Sequence, residues 1–506
     1  MQLVSEWFNQ CSTQHRTCKG RESTLPTRVV YVGNDIREPY LYQTRGEEAP
    51  YTALSHCWGS APTTHLTSSK ANLKDRMESI PISTLSQTFS DAVVLTRRLG
   101  IEYIWIDSLC IIQDDTEDWA RESARMCEVY RNTTLTISAD GASDGSKGLF
   151  QTIHVPLHQE ISMTFKSSTG SGVIYARETD LFLYDDRVNV ILKKDGDPLR
   201  QRGWALQEWL LSSRIVHFTT GELLWECKEV QSCECQVFSQ SSTQMERLEL
   251  RNLSKHGFYR ERESDGGDGY LHWPGVVREF TRRKLTIQTD RLPALSGLAA
   301  FTKSNAAEDY VAGLWKSELP ESLVWQVWYG ESERYEDYYA PSWSWASVNG
   351  HISMHSIAVE NELPLKCKIL EISTVLATDN PFGPLKSGFI KIQGPVAILS
   401  LNMVRIGGPY EPGETQYDGE LILDVKGPAL EVTSADEILF LIVKKKAYIL
   451  NGKTFEKKYI RIYGIALKMV RDDGQYMRVG SVQVKCDDKD WDSWMQKVKT
   501  QIVTIV

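Results

Sequence analysis

The sequence predicts an α/β chain in three parts: a parallel sheet covered by helices, a mainly helical extension, and a β-rich C-terminal domain. Three observations carry this. Between residues 84 and 139, amphipathic helical stretches alternate with short apolar runs. Residues 274–329 place apolar side chains at helix-like intervals. From residue 366 onward, short alternating runs are broken by Gly, Pro and Asp. The expected divisions are a helical lead-in over 1–27, the α/β domain over 28–235, the helical extension over 236–360 and the β-rich domain over 361–506.

Each element has a local reason. Trp7, Cys11, His15 and Cys18 fall on one face of a helical lead-in. Residues 28–33 and 51–56 read as strands, the second running into Cys57-Trp58-Gly59. Residues 84–99 form an amphipathic helix with Leu85, Phe89, Ala92, Val93, Thr96 and Leu99 as its buried stripe and Gly100 at its stop. Residues 101–107 are a strand with an acid at its C-terminal end. Asp114 and Asp115 are N-cap candidates for a helix over 116–130 that faces inward through Trp119, Ser123, Met126 and Tyr130. Residues 133–139 are the next strand. Residues 203–211 are helical, and 214–218 with 223–227 flank a hairpin turn. Residues 239–269 read as a long exposed excursion. Helical intervals then include 292–301, 311–319 and 323–328.

Composition excludes several classes. The chain has 506 residues, 41% hydrophobic and 24% charged, with a net charge of −9. Such a chain is not disordered, collagenous or a disulfide scaffold. The acidic balance argues against nucleic acid as the main partner. No apolar run reaches the ~20 residues of a membrane span, and no secretory leader is visible, so a cytoplasmic protein is expected. The ten cysteines are scattered, which fits reduced thiols.

Three motifs carry candidate chemistry. Residues 51–59 (YTALSHCWG) deliver Ser55, His56 and Cys57 to a strand's C-terminal end, where open α/β sheets bind ligands. Residues 103–115 (YIWIDSLCIIQDD) do the same with Asp107. In residues 202–214 (RGWALQEWLLSSR), Trp204 and Glu208 lie at i and i+4 on one helix face. A Glu sheltered beside Trp has a raised pKa and can act as acid or base. The candidate catalytic residues are therefore Glu208, Asp107, His56 and Cys110. Ser55, Trp58, Gly59, Gln113, Arg202, Trp204 and Gln207 are candidate substrate contacts. A packing alternative stands beside each: Trp58 as a core plug, Asp107 as a turn cap, and Glu208 clamped by Arg202 or Arg214. Three further segments, DRLPALSGLA (290–299), YVAGLW (310–315) and PSWSWAS (341–347), read as packing.

Cys11, His15 and Cys18 could start a metal site, and Cys227, Cys233 or Cys235 could complete one. Paired C-x-x-C spacing is missing, so no metal is expected. No Gly-rich phosphate loop, HExxH or GxSxG is present.

Together, YTALSHCWG, the block from YIWIDSLCIIQDD through TTLTISA, and RGWALQEWLLSSRIVHF resemble the fungal heterokaryon incompatibility (HET) domain family over roughly residues 28–227. The downstream segments are similar to those of stand-alone members. The resemblance implies non-self recognition and programmed cell death. It also implies a distant likeness to TIR domains, hence a TIR/flavodoxin-like fold with NAD as a candidate substrate rather than a bound cofactor. Trp204 and Glu208 match the Trp-Cys-x-x-Glu pattern of TIR domains, with Ala205 replacing the Cys. Implied partners are other HET or incompatibility proteins, a second copy of the chain, or a small-molecule substrate, with no nucleic acid or membrane. Whether the chain is an enzyme stays open. The alternative is a tailoring enzyme of fungal secondary metabolism performing acid/base cyclisation or dehydration.

Overall fold

The computed structural model describes residues 1–18, 23–59, 66–150, 161–167, 170–176, 197–234, 273–306, 309–328, 332–354, 367–399, 404–406, 419–425, 438–451, 456–471, 474–487 and 496–506. Spatial contacts divide the chain into two units, Met1–Leu271 and His272–Val506. The expected excursion at 239–269 and the expected boundaries after 235 and 360 fall outside the described residues.

In the first unit, helix α1 (Gln2–Gln14) precedes strands β1 (Arg28–Tyr31), β2 (Tyr40–Gln43) and β3 (Tyr51–Ser55). Helices α2 (Leu73–Glu78) and α3 (Gln87–Arg98) lead to β4 (Tyr103–Trp105). The short α4 (Asp107–Cys110) and long α5 (Thr116–Asn132) lead to β5 (Leu135–Ser138). A hairpin of β6 (Ile161–Ser167) and β7 (Gly170–Ala176) follows, then α6 (Ala205–Leu211), β8 (Arg214–Phe218), β9 (Leu223–Cys227) and β10 (Gln231–Cys233).

Eight of these strands form one sheet in the order β10-β9-β8-β5-β3-β4-β1-β2. The central strands β8, β5, β3 and β4 run parallel to one another. Antiparallel strands flank them on both sides, so the sheet is mixed rather than wholly parallel. After β3 the chain adds β4 on one side, then returns to add β5 on the other. The C-terminal ends of β3 and β5 therefore meet at a topological switch, the place where such sheets bind ligands. All five residues of β3 are buried, as expected of a strand covered on both faces.

Capping fixes the two main helices. The Ser86 side chain accepts from the Phe89 N–H at the start of α3, and Asp115 accepts from the Glu117 and Asp118 N–H groups at the start of α5. The inward face of α5 differs from expectation. Asp118, Glu122, Met126, Val129 and Tyr130 are buried, whereas Trp119 is 40% exposed. The reason is electrostatic: buried Arg28 on β1 forms an ion pair with Asp118, which lets an acid occupy the face that apolarity alone assigned to Trp119.

In the second unit, α7 (Trp273–Thr281) and α8 (Pro293–Ala306) are helices as expected. Residues 311–319 and 323–328, expected to be helical, contain no α-helix, only single 3-10 turns at Lys316–Glu318 and Glu321–Leu323. Ala312 and Gly313 both have positive φ, 51° and 90°, the signature of a tight two-residue hairpin turn. They join β11 (Tyr310–Val311) to β12 (Leu314–Trp315). Leu323, Trp325 and Val327 are buried while their neighbours are not, a period of two. Accordingly β13 (Trp325–Val327) is a strand and pairs with β16 (Ile352–Met354), while β14 (Glu333–Arg334) pairs with β15 (Val348–Asn349). Trp343 and Trp345 are fully buried. The Trp273 and Trp345 indoles both donate to the Gly313 carbonyl at 2.8 Å.

The β-rich part comprises β17 (Lys368–Leu376), β18 (Leu385–Leu399), β19 (Val404–Ile406), β20 (Gly419–Leu423), β21 (Ile438–Asn451), β22 (Glu456–Arg471), β23 (Gln475–Asp487) and β24 (Lys499–Ile505). The main path runs β17-β18-β21-β22-β23-β20-β19, and β24 pairs with both β18 and β23. That double pairing closes the ring β18-β21-β22-β23-β24, and Leu421, Phe440, Ile462 and Val482 from β20, β21, β22 and β23 share one buried core. No helix among the described residues is long and apolar enough to cross a membrane.

Candidate functional site

β3 ends at Ser55, and α6 carries Glu208 against it. The Ser55 hydroxyl donates to Glu208 Oε2, and both residues are buried. The Tyr130 hydroxyl donates to the Leu54 carbonyl at 3.1 Å and also makes a hydrogen-bonding contact that favours the Glu208 carboxylate. The helix places Glu208 here because Ser212, one turn on, bonds back to the Glu208 carbonyl at 2.6 Å and reaches Thr136 on β5 at 2.6 Å.

Burial pushes the Glu208 carboxyl from 4.5 up to about 7. The Asp107 charge acts in the same direction, while the bonds from Ser55 and Tyr130 and the positive charge of Arg202 act against it. The two arginines expected near Glu208 also make other contacts. Arg202 attracts the Glu208 carboxylate and donates to the His56 carbonyl, and Arg214 turns toward Cys11 and the Cys18 carbonyl.

The residues after β3 and β4 gather beside Glu208. Trp58 Nε1 donates to Asp107 Oδ2 at 2.8 Å, and His56 Nδ1 lies 3.7 Å from Asp107 Oδ1. The His56 ring packs edge-on against Phe89 at 5.0 Å. Asp107, the first residue of α4, also accepts from the Ser108 N–H at 2.7 Å while facing Trp58 and His56. Gly59 has φ of 81° and is exposed, which turns the chain away from the strand end. Ser55, His56, Asp107 and Glu208 thus gather at one end of the sheet.

The remaining candidates sit differently. Cys110 is fully buried, and burial pushes its thiol up to about 12. That environment holds it as an inert thiol. Burial likewise pushes Cys57 up to about 11. Gln113 uses its side-chain amide on the carbonyls of Asp107 and Ile111, at 3.3 and 3.0 Å. Gln207 is buried and Trp204 half-buried. Cys227 meets Cys11, His15 and Cys18. Cys233 is buried outside that group, and Cys235 lies outside the described residues.

A second polar network adjoins the first and was not anticipated from sequence. Ser138, the register partner of Ser55, donates to Asp140 Oδ1. Asp140 Oδ2 lies 2.9 Å from His217 Nδ1 on β8 and 2.8 Å from Arg200 Nε. His217 Nε2 lies 3.5 Å from Glu226 Oε2 on β9, an oxygen that also accepts from the Trp209 indole. Burial opposes charge on both members of the Asp140–His217 pair. Arg200 and His217 nonetheless hold the Asp140 carboxyl well below its usual range, and Asp140 holds His217 above its own. The sequence signal was present: His217 interrupts an otherwise apolar strand, RIVHF, and Asp140 directly follows TTLTISA.

Chemically, the first cluster offers a carboxyl that is close to half-ionised at neutral pH, and so can give or take a proton. The second sets the buried Asp140 carboxyl against His217 and Arg200 beside it. Residues 51–208 match the family model described as heterokaryon incompatibility protein (HET). Neither a curated protein nor a solved structure matches the chain.

Proposed function

We infer, from a chain that is a heterokaryon incompatibility (HET) domain protein over residues 51–208, that it acts in non-self recognition and cell-death signalling and that Glu208 carries its chemistry. The supporting observation is a buried carboxyl, bonded to Ser55 and shifted to about 7, at the switch between β3 and β5. Taken in chain order, the four parallel strands lie as second, first, third, fourth, which supports a flavodoxin- or TIR-like arrangement.

On this reading the substrate is NAD and the reaction is hydrolysis. The bond between the nicotinamide nitrogen and the ribose carbon breaks, and its electron pair goes to the nitrogen. A water oxygen bonds to the ribose carbon, and one water proton is released. Nothing is oxidised or reduced. Glu208, as the carboxylate, supports positive charge developing on the sugar and accepts the water proton. Its buried neighbours keep it poised at neutral pH.

The test incubates the purified full-length chain with NAD and measures free nicotinamide, alongside Glu208→Gln and a cell-killing assay. Nicotinamide release and killing that both vanish in Glu208→Gln support the reading. No release from the wild type, or killing that persists in a folded Glu208→Gln protein, overturns it.

A further inference from the structure

Four chemically matched side chains from distant parts of the sequence meet at the other end of the sheet. Helix α1 ends at Gln14, so Cys11 lies in its last turn, His15 caps it, and Cys18 follows. Cys227 ends β9. The three sulfurs and a His15 ring nitrogen all lie within 4.8 Å of one another, and His15 Nδ1 is 3.3 Å from the Cys227 sulfur. A tetrahedron with metal–sulfur bonds of ~2.3 Å and a metal–nitrogen bond of ~2.1 Å has edges of about 3.5–3.8 Å, so the cluster already has nearly the required size.

We propose that Cys11, His15, Cys18 and Cys227 bind one zinc ion in a closed, structural Cys3His site that ties α1 to β9.

The surroundings fit a thiolate–metal centre. Arg214 Nε lies 3.2 Å from the Cys11 sulfur, and its guanidinium also donates to the Cys18 carbonyl. The Val230 N–H donates to the Cys227 sulfur at 3.3 Å. Three thiolates and a neutral imidazole around Zn2+ leave one net negative charge, which Arg214 offsets; such outer partners orient metal ligands. Cys11, Cys18 and Cys227 are buried and His15 is half-exposed, so four protein ligands leave no open position for substrate. A disulfide between any two of the thiols would leave the third thiol and the imidazole unexplained.

Position separates this site from the Glu208 cluster. Cys227 pairs with Arg214 at the start of β8, whereas Ser55 and Ser138 stand at the strands' C-terminal ends. The site therefore serves architecture rather than reaction. The spacing C-x3-H-x2-C, with a fourth ligand more than 200 residues away, explains why no paired motif announced it.

The experiment uses the full-length chain, purified without chelator. Elemental analysis should find one zinc per chain, and reloading with cobalt should give the intense visible absorption of a tetrahedral thiolate complex. Alkylation should spare Cys11, Cys18 and Cys227 until a strong chelator releases the zinc. Cys11→Ser and Cys227→Ser should lose the metal, and Cys233→Ser should keep it. The alkylation assay reads the wild type alone, so it holds even where a ligand variant fails to fold. Folded wild type that stays metal-free after zinc exposure, or that shows a disulfide among these cysteines, overturns the proposal.

Discussion

Replacing Glu208 by Gln should change how the stability of the N-terminal unit depends on pH, and the size of the change follows from the site. The carboxyl is displaced from 4.5 to about 7 by burial. At ~1.36 kcal/mol per pKa unit, the folded state disfavours the ionised form by about 3 kcal/mol. An acid with a raised folded pKa keeps its proton in the folded protein over a range where the unfolded chain has lost it. Stability therefore falls as pH rises through that range, from 4.5 to about 7, and stays low above it. Gln keeps an oxygen to accept from Ser55 but cannot ionise. Near pH 5 the two proteins should have similar stability. Near pH 9 the Gln variant should be more stable by about 3 kcal/mol, a rise of roughly 6–12 °C in the unfolding midpoint of a unit this size. Scanning calorimetry or denaturant melts at both pH values measure the difference. Parallel pH profiles for the two proteins would refute the environment assigned to Glu208.

Two further outcomes follow from the buried ion pairs. Asp140→Asn should destabilise the first unit by about 3 kcal/mol, because it removes the charge that faces partly buried Arg200 and buried His217. The Asp140 contribution is present above pH 3.8 and lost on acidification, and the His217 contribution is present below pH 6.5 and lost as pH rises through its raised folded value; melts of the variant should be flatter on both flanks. In the second unit, Asp424→Asn should cost a comparable amount, about 3–5 kcal/mol, since Asp424 and Arg478 pair at 3.0 Å with both side chains fully buried; an unchanged melting transition would refute that.

Legibility from sequence followed the physics that periodicity reports. The segments from 84 to 139 were readable because each helix has one apolar face and each strand a short apolar run. The same logic failed at 311–328, where Leu323, Trp325 and Val327 alternate in burial but sit among further apolar residues that fill a helical template equally well. It failed again at Trp119, because periodicity cannot foresee that Arg28, 90 positions away, neutralises Asp118 in the core. The Glu208 site was partly legible, since a strand's C-terminal end is a place where function collects. Its particular bond to Ser55, 153 residues apart, was not, because only the closed sheet makes them neighbours. Tyr130, Asp140 and His217 were missed for the same reason.

The environment of Glu208 permits a test in which neighbouring substitutions push in opposite directions. Ser55 and Tyr130 hydrogen-bond the carboxyl and Arg202 attracts it, so all three favour ionisation, whereas Asp107 repels it. Ser55→Ala, Tyr130→Phe and Arg202→Gln should each raise the Glu208 pKa. Asp107→Asn should lower it. The ordering matters more than the sizes: removal of a single hydrogen bond or of a charge a few ångströms away moves a buried carboxyl by about one unit. The readout is the pH midpoint at which each variant and its Glu208→Gln double mutant diverge in stability, so no assumption about substrate enters. A general loosening of the fold would admit water and lower the pKa in all four variants alike. Shifts of one sign throughout would therefore mean that solvation, and not these named partners, sets the carboxyl. Opposite shifts would tie the poise of Glu208 to the residues that the ends of β3, β4 and α5 bring around it.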